Sequence, residues 1–192
     1  KGPSVTPRVT PFFWSSSERL RPNSGSSPLA PYLGGAWADP LIDLAVDYVR
    51  TFIGHGTNSY GAAHPFESVY TSERRLLMQD ARDEVRAVYR SFNIDKQDEW
   101  REGEDHVALE LEFMGILSRR TAAALRADDV NRAEQLLSAQ RNFLDDHLRT
   151  WVPLMAADMR RFAKTDLYRG LADLAEGLLA TDAEFLDGVL AE

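Results

Sequence analysis

The sequence predicts an all-α fold, and three observations carry that prediction. No stretch alternates Val, Ile or Thr with polar residues in the manner of a half-buried strand. From Pro40 onward, apolar residues recur at intervals of three and four, the spacing that puts them on one face of a helix. The periodic stretches are also punctuated by helix-boundary residues: Pro40 and Asp129 at starts, Gly54 at a stop, and Asp166 as a cap. The reading therefore divides the chain into an irregular arm over residues 1–39 and a single helical body over 40–192.

The arm holds most of the prolines, the Ser24–Ser27 cluster and several bulky aromatics, among them Phe12, Phe13, Trp14, Tyr32 and Trp37. Prolines at this density forbid long helices, whereas the aromatics call for burial, so one short helix near 15–21 is expected within an extended segment lying on the body. Because the chain begins at Lys1 rather than Met, the reading leaves room for native residues before it.

The first helix of the body runs from Pro40 to Ile53, with Leu41, Leu44, Ala45, Tyr48 and Phe52 as its stripe. A glycine-rich loop, Gly54 to Pro65, is long enough to serve a function. Pro65–Tyr70 reads as extended or a tight turn, Ser72–Gln79 as a short helix, and Asp80–Phe92 as an amphipathic helix with Val85, Val88, Tyr89 and Phe92 inward. A helix from 105 to 126 follows. A second long helix starts at Asp129 and carries Leu136, Leu137, Phe143, His147 and Trp151 on one face. Pro153 is placed in the first turn of the next helix, Asp166 caps another with Leu167, Leu171, Leu174 and Leu178 inside, and Thr181–Leu190 forms a last short one.

Composition narrows the function. With 22 basic against 30 acidic residues the formal charge is −8, which leaves no basic excess to neutralise phosphates and favours a cationic partner over nucleic acid. There is no cysteine, hence no disulfide, thiolate metal site or Cys nucleophile. No apolar run reaches the roughly 18 residues of a bilayer span, and the start of the chain lacks the apolar core of a secretory signal, so a cytoplasmic protein is expected.

The stretch Glu102–Met114 (E-G-E-D-H-V-A-L-E-L-E-F-M) joins an acidic loop to an apolar helix. Asp105 stands where a cap belongs, since a carboxylate there accepts from free backbone N–H groups and offsets the helix dipole. Read plainly, this is a capped helix with a core histidine. Read functionally, it is an anionic pocket of Glu102, Glu104 and Asp105 edged by the imidazole of His106.

Six segments in order carry a family resemblance: D-Y-x-R-x-F-x-G from Asp47, P-F-x-S-V-Y from Pro65, L-L-M from Leu76, E-x-x-D-H-x-x-x-E-L-x-F-M from Glu102, F-L-x-x-H-L-x-x-W-x-P from Phe143 and L-Y-R-x-L-x-x-L-A from Leu167. The pattern resembles the TorD/DmsD/NarJ family of redox-enzyme maturation chaperones. The resemblance implies a TorD-like helical bundle, a non-catalytic cytoplasmic role, and a partner that is an apo molybdoenzyme of the dimethyl-sulfoxide-reductase type. The chaperone would bind that enzyme's twin-arginine signal peptide or N-terminal segment and delay export until molybdopterin is inserted. It further implies no permanently bound cofactor, weak guanine-nucleotide binding, transient association with the membrane or translocase, and either a monomer or a helix-exchanged dimer. The site residues it implies are Asp105 and His106 with the aromatics Tyr48, Phe52, Phe66 and Tyr70. Gly103 and His55 stand where the family usually has proline, and the Gly103 loop is expected to be less rigid for it.

The residue chemistry suits such a ligand. Two guanidinium groups followed by an apolar run require carboxylates beside an aromatic-walled groove. Tyr48 and Phe52 lie on a helical stripe that serves equally as core, while Phe66 and Tyr70, in a loop, are expected to face a ligand. His106 titrates near neutrality when unperturbed, which would let it tune the pocket.

Two rival readings compete with this one. A helical carboxylate/His metal enzyme would use Glu-x-x-His pairs, of which the chain has none, so His147 is read as a core residue between Phe143 and Trp151. A nucleotide-binding regulator would show a phosphate loop, and neither G-x-x-x-x-G-K-[ST] nor G-x-G-x-x-G occurs. The pairs Arg74-Arg75, Arg119-Arg120 and Arg160-Arg161 lack a following apolar run and read as solvated helix faces.

Overall fold

In the computed structural model, residues 8–9, 39–54, 61–73 and 75–191 are described. The expected helix near 15–21, the arm aromatics, His55 and Arg74 lie outside them. The described chain is helical almost throughout. A pair of two-residue strands is added, β1 (Arg8–Val9) running parallel to β2 (Asp95–Lys96), with Arg8 opposite Asp95 and Val9 opposite Lys96.

Helix α1 (Pro40–Tyr48) starts as the sequence suggests, with the Asp39 carboxylate accepting from the Leu41 and Ile42 amides, and passes into a π-helical turn, Val49–Ile53, that stops at Gly54. Gly54 adopts φ 78°, a backbone conformation open to glycine. What the helix buries differs from the expected stripe. Asp47 and Thr51 are its sealed residues, while Leu41, Ile42, Val46 and Tyr48 stay exposed. It docks through polar bonds: Asp47 accepts from the amides of Lys164 and Thr165 and from the Thr165 hydroxyl (2.6 Å).

Helix α2 (Glu67–Thr71) occupies part of the stretch expected to be extended or a tight turn, and the described residues of 72–79, expected to be helical, are not. Arg75 and Met78 have φ of 50° and 57°, left-handed values that end any right-handed helix there. Helix α3 (Asp80–Ser91) buries Val85 and Tyr89 as expected. Helix α4 (Val107–Arg126) supplies Leu109, Phe113 and Leu117 to the core.

Helix α5 (Val130–Phe143), capped by Asp129, continues without a break through a π turn, Leu144–Leu148, into α6 (Arg149–Phe162), so Pro153 lies inside a helix rather than in a first turn. Helix α7 (Asp166–Leu190) is one long helix with Thr165 as its cap position, and there is no break at Thr181, whose hydroxyl donates to the Gly177 carbonyl. Its buried residues are Ala172, Leu179, Ala183 and Leu186. Leu171, Leu174 and Leu178, expected inside, are exposed, Leu174 by 66%. The helix packs against α6 through the Ala172, Leu179, Ala183 and Leu186 face, which leaves Leu171 to line the cleft beside α1. The core forms around Trp151, Phe113, Phe143, Tyr89 and Leu148.

Candidate functional site

The loop 102–106 is zipped to the start of α2. The Glu67 amide donates to the Asp105 carbonyl, the Val107 amide to the Pro65 carbonyl, and Phe66 pairs with His106 in a single antiparallel bridge. Asp105 is not the helix cap that the sequence suggests. Its Oδ2 accepts from the Ser68 amide at 3.0 Å and from the Ser68 hydroxyl, and the residue has no solvent exposure. The cap is His106, whose Nδ1 accepts from the Ala108 amide at 3.1 Å. An Nδ1 that accepts carries no hydrogen, so the ring is the neutral Nε2–H tautomer. Burial pushes the imidazole down to about 4, against the opposing pull of the Asp105 charge. Its expected titration near neutrality is therefore corrected.

Glu104 is sealed as well. Burial would raise its pKa, but Arg82, donating Nε–H at 2.5 Å, and Lys96 nearby hold the carboxyl below its usual range. Tyr89 Oη donates to the Glu104 carbonyl and Lys96 Nζ to that of Glu102. The loop is thus pinned from four sides despite Gly103. Of the three acids expected to face a ligand, only Glu102 is exposed.

Beside His106 opens a cleft of about 260 Å³. Tyr48 and Phe52 form one wall, Tyr168, Leu171 and Ala175 of α7 the other, and Met155 and Met159 of α6 the floor, with Pro65, Val107 and Leu111 completing it. Phe52 meets Tyr168 edge to face at 5.5 Å, and Tyr168 Oη donates to the Leu44 carbonyl, so α1 and α7 are held as facing walls. The His106 ring is clamped edge-on by Phe66 (5.0 Å) and Trp100 (5.5 Å). Three expected residues, Tyr48, Phe52 and His106, therefore meet in one cleft, with Phe66 supporting its rim. Tyr70, expected to face a ligand, instead stacks on Trp151 at 5.8 Å, and burial, reinforced by the Asp158 charge, raises its hydroxyl pKa. Reading from sequence missed Tyr168, Leu171, Met155 and Met159. L-Y-R-x-L at 167–171 stands out as a motif in the sequence, but nothing in it says that α7 faces α1.

Beneath the loop lies a buried polar cluster. Glu67 grips His147 Nδ1 with both oxygens (3.0 and 3.2 Å), and Trp151 Nε1 donates to Glu110 Oε2 at 3.0 Å. Among the described residues no three histidines, aspartates or glutamates are grouped to hold a metal ion, and no helix is long and apolar enough to cross a membrane.

The chain belongs to the nitrate reductase delta subunit family, whose model matches residues 20–157. It is similar to the protein described as chaperone protein TorD from Vibrio cholerae serotype O1, 30% identical over 157 residues that cover 80% of this chain and 67% of that one. It is likewise similar to those of Photobacterium profundum (30% over 150 residues) and Aliivibrio salmonicida (28% over 150 residues), each match covering 78% of this chain and 67% of the relative. No solved structure matches the chain.

Proposed function

We propose that this protein is a cytoplasmic, non-catalytic chaperone for maturation of a molybdoenzyme, with residues 40–192 as its chaperone body and the cleft between α1 and α7 as the seat of the client's N-terminal or twin-arginine signal segment. The observation that carries this reading is the lining. A solvent-open cleft walled by Tyr48, Phe52, Tyr168 and Leu171 over two methionines has no acid in its walls, and suits an apolar segment. Neutral His106 presents Nε2–H at the edge as a donor for a main-chain carbonyl. The arginines of such a segment then meet exposed acids outside the cleft, Glu102 among them, in the field of a chain of charge −8. Asp105 and Glu104 serve by holding the loop, not by touching the ligand.

Calorimetry with a synthetic twin-arginine peptide tests the assignment. Aspartate in place of a leucine of the peptide's apolar run is expected to abolish binding, whereas lysine for arginine weakens it only modestly and more so at low salt. A peptide that binds equally well with its apolar run broken would remove the cleft from the function.

A further inference from the structure

Glu110 is fully buried, and its two oxygens are treated differently. Oε2 accepts from Trp151, whereas no donor faces Oε1. The group beside it is another carboxylate, Glu67, which is itself spent on His147. Two ionised carboxylates side by side in a buried site are strongly repulsive at low dielectric, unless a proton sits on one and donates to the other. We propose that Glu110 and Glu67 hold one proton between them, and that this shared proton, with His147, latches α2 to the core and so sets the position of His106 at the cleft.

The geometry supplies the linkage. Glu67 opens α2, and the next residue, Ser68, holds Asp105, which precedes His106. One short helix thus joins the buried acids to the cleft edge. Every element around the pair contributes. Tyr89 comes from α3, Glu104 and Asp105 from the loop, His147 from the π turn and Trp151 from α6, and apart from the Trp151 N–H and the imidazole the neighbours are acids or a phenol. Accordingly, burial first and the Glu67 charge second push the Glu110 carboxyl well above the ordinary range, while Trp151 acts in the opposite direction. A carboxyl raised in the native state stabilises the fold below its unfolded pKa, and that stabilisation is lost as pH rises through the native one. Loss of the proton puts two charges in contact and frees α2 together with the loop.

The inference rests on the cleft assignment only for its consequence, so its test separates the two. Amide exchange of residues 66–71 and 103–106 in the full chain, corrected for intrinsic rates, is expected to lose at least tenfold protection as pH rises from neutral into the alkaline range. Glu110→Gln, whose amide donates to Glu67 while its carbonyl accepts from Trp151, is expected to retain protection throughout and to bind an apolar peptide at neutral pH as the parent does. Identical pH dependence in parent and variant overturns the latch and leaves the cleft assignment untouched. Independently of any variant, infrared spectra of the parent with isotope-labelled glutamate are expected to show an un-ionised carboxylic acid at neutral pH. Its absence overturns the proposal even if Glu110→Gln fails to fold.

Discussion

The carboxylate of Asp105 takes both the main-chain N–H and the hydroxyl of Ser68, residues 37 positions apart, and so fastens the loop before α4 to the start of α2. Both partners are buried, so the bonds are not exchanged for water. Ser68→Ala removes one donor to a buried charge and is expected to cost about 1.5–3 kcal/mol. Chemical denaturation should show the loss with an unchanged slope. Peptide affinity should fall with it, because His106 follows Asp105 directly. A variant as stable as the parent would mean that the hydroxyl bond adds nothing beyond the amide bond.

Asp47 performs the corresponding task on the other wall. Its burial favours the neutral acid, but donors from Thr165, Lys164 and Arg50 outweigh that and depress its pKa. A carboxyl depressed in the native state adds stability above its unfolded pKa and loses it as pH falls through the native one. Asp47→Asn, which turns an acceptor toward backbone N–H groups into a partial donor, is expected to cost about 1–3 kcal/mol at neutral pH. The variant should also lose part of the parent's acid-side decline. Melting curves between pH 3 and pH 7 for the two proteins decide it.

These two carboxylates also mark where the sequence was legible. The helix starts at Pro40 and Asp129, the stop at Gly54 and the inward face of α3 could be read because each rests on neighbours within a turn or two. Asp47 with Thr165, Glu67 with His147 and Asp105 with Ser68 join distant residues, and no local pattern announces them. The apolar stripes of α1 and α7 failed for a related reason. Periodicity finds which residues share a face, but whether that face meets the core or the cleft depends on the packing of the other helices. At 72–79 local propensity favoured helix, whereas Arg75 and Met78 adopt left-handed conformations and Gln79 is tied back to Ser68.

The contrast between wall and core can be tested with one pair of substitutions. Leu171 lies half-exposed in the cleft wall, so Leu171→Asp should alter stability by no more than about 0.5 kcal/mol. An apolar ligand should nevertheless bind it about tenfold more weakly or worse, the loss of about 1.5 kcal/mol of burial. Trp151 is sealed against Tyr70 and is the donor to Glu110, so Trp151→Ala should cost about 3–5 kcal/mol in melting. A Leu171→Asp protein with undiminished affinity would place the ligand elsewhere.

His106 yields the sharpest dependence on pH, because folding and binding should respond over different ranges. Its pKa is lowered to about 4 in the native state by burial, whereas the unfolded chain takes up the proton near 6.5. The neutral ring therefore contributes stability that is complete above about pH 6.5 and declines as pH falls toward 4. Binding by folded protein sees only the native value. It should stay level from neutral pH down to about 5 and drop as pH nears 4, when protonation of Nδ1 ends its acceptance from the Ala108 amide and turns the ring out of place. Fluorescence anisotropy of a labelled peptide, beside urea melts at each pH, separates the curves. His106→Gln should flatten the stability curve across that window. A binding curve that bends near 6.5 instead would show the ring to be open to water and the cleft edge to be differently built.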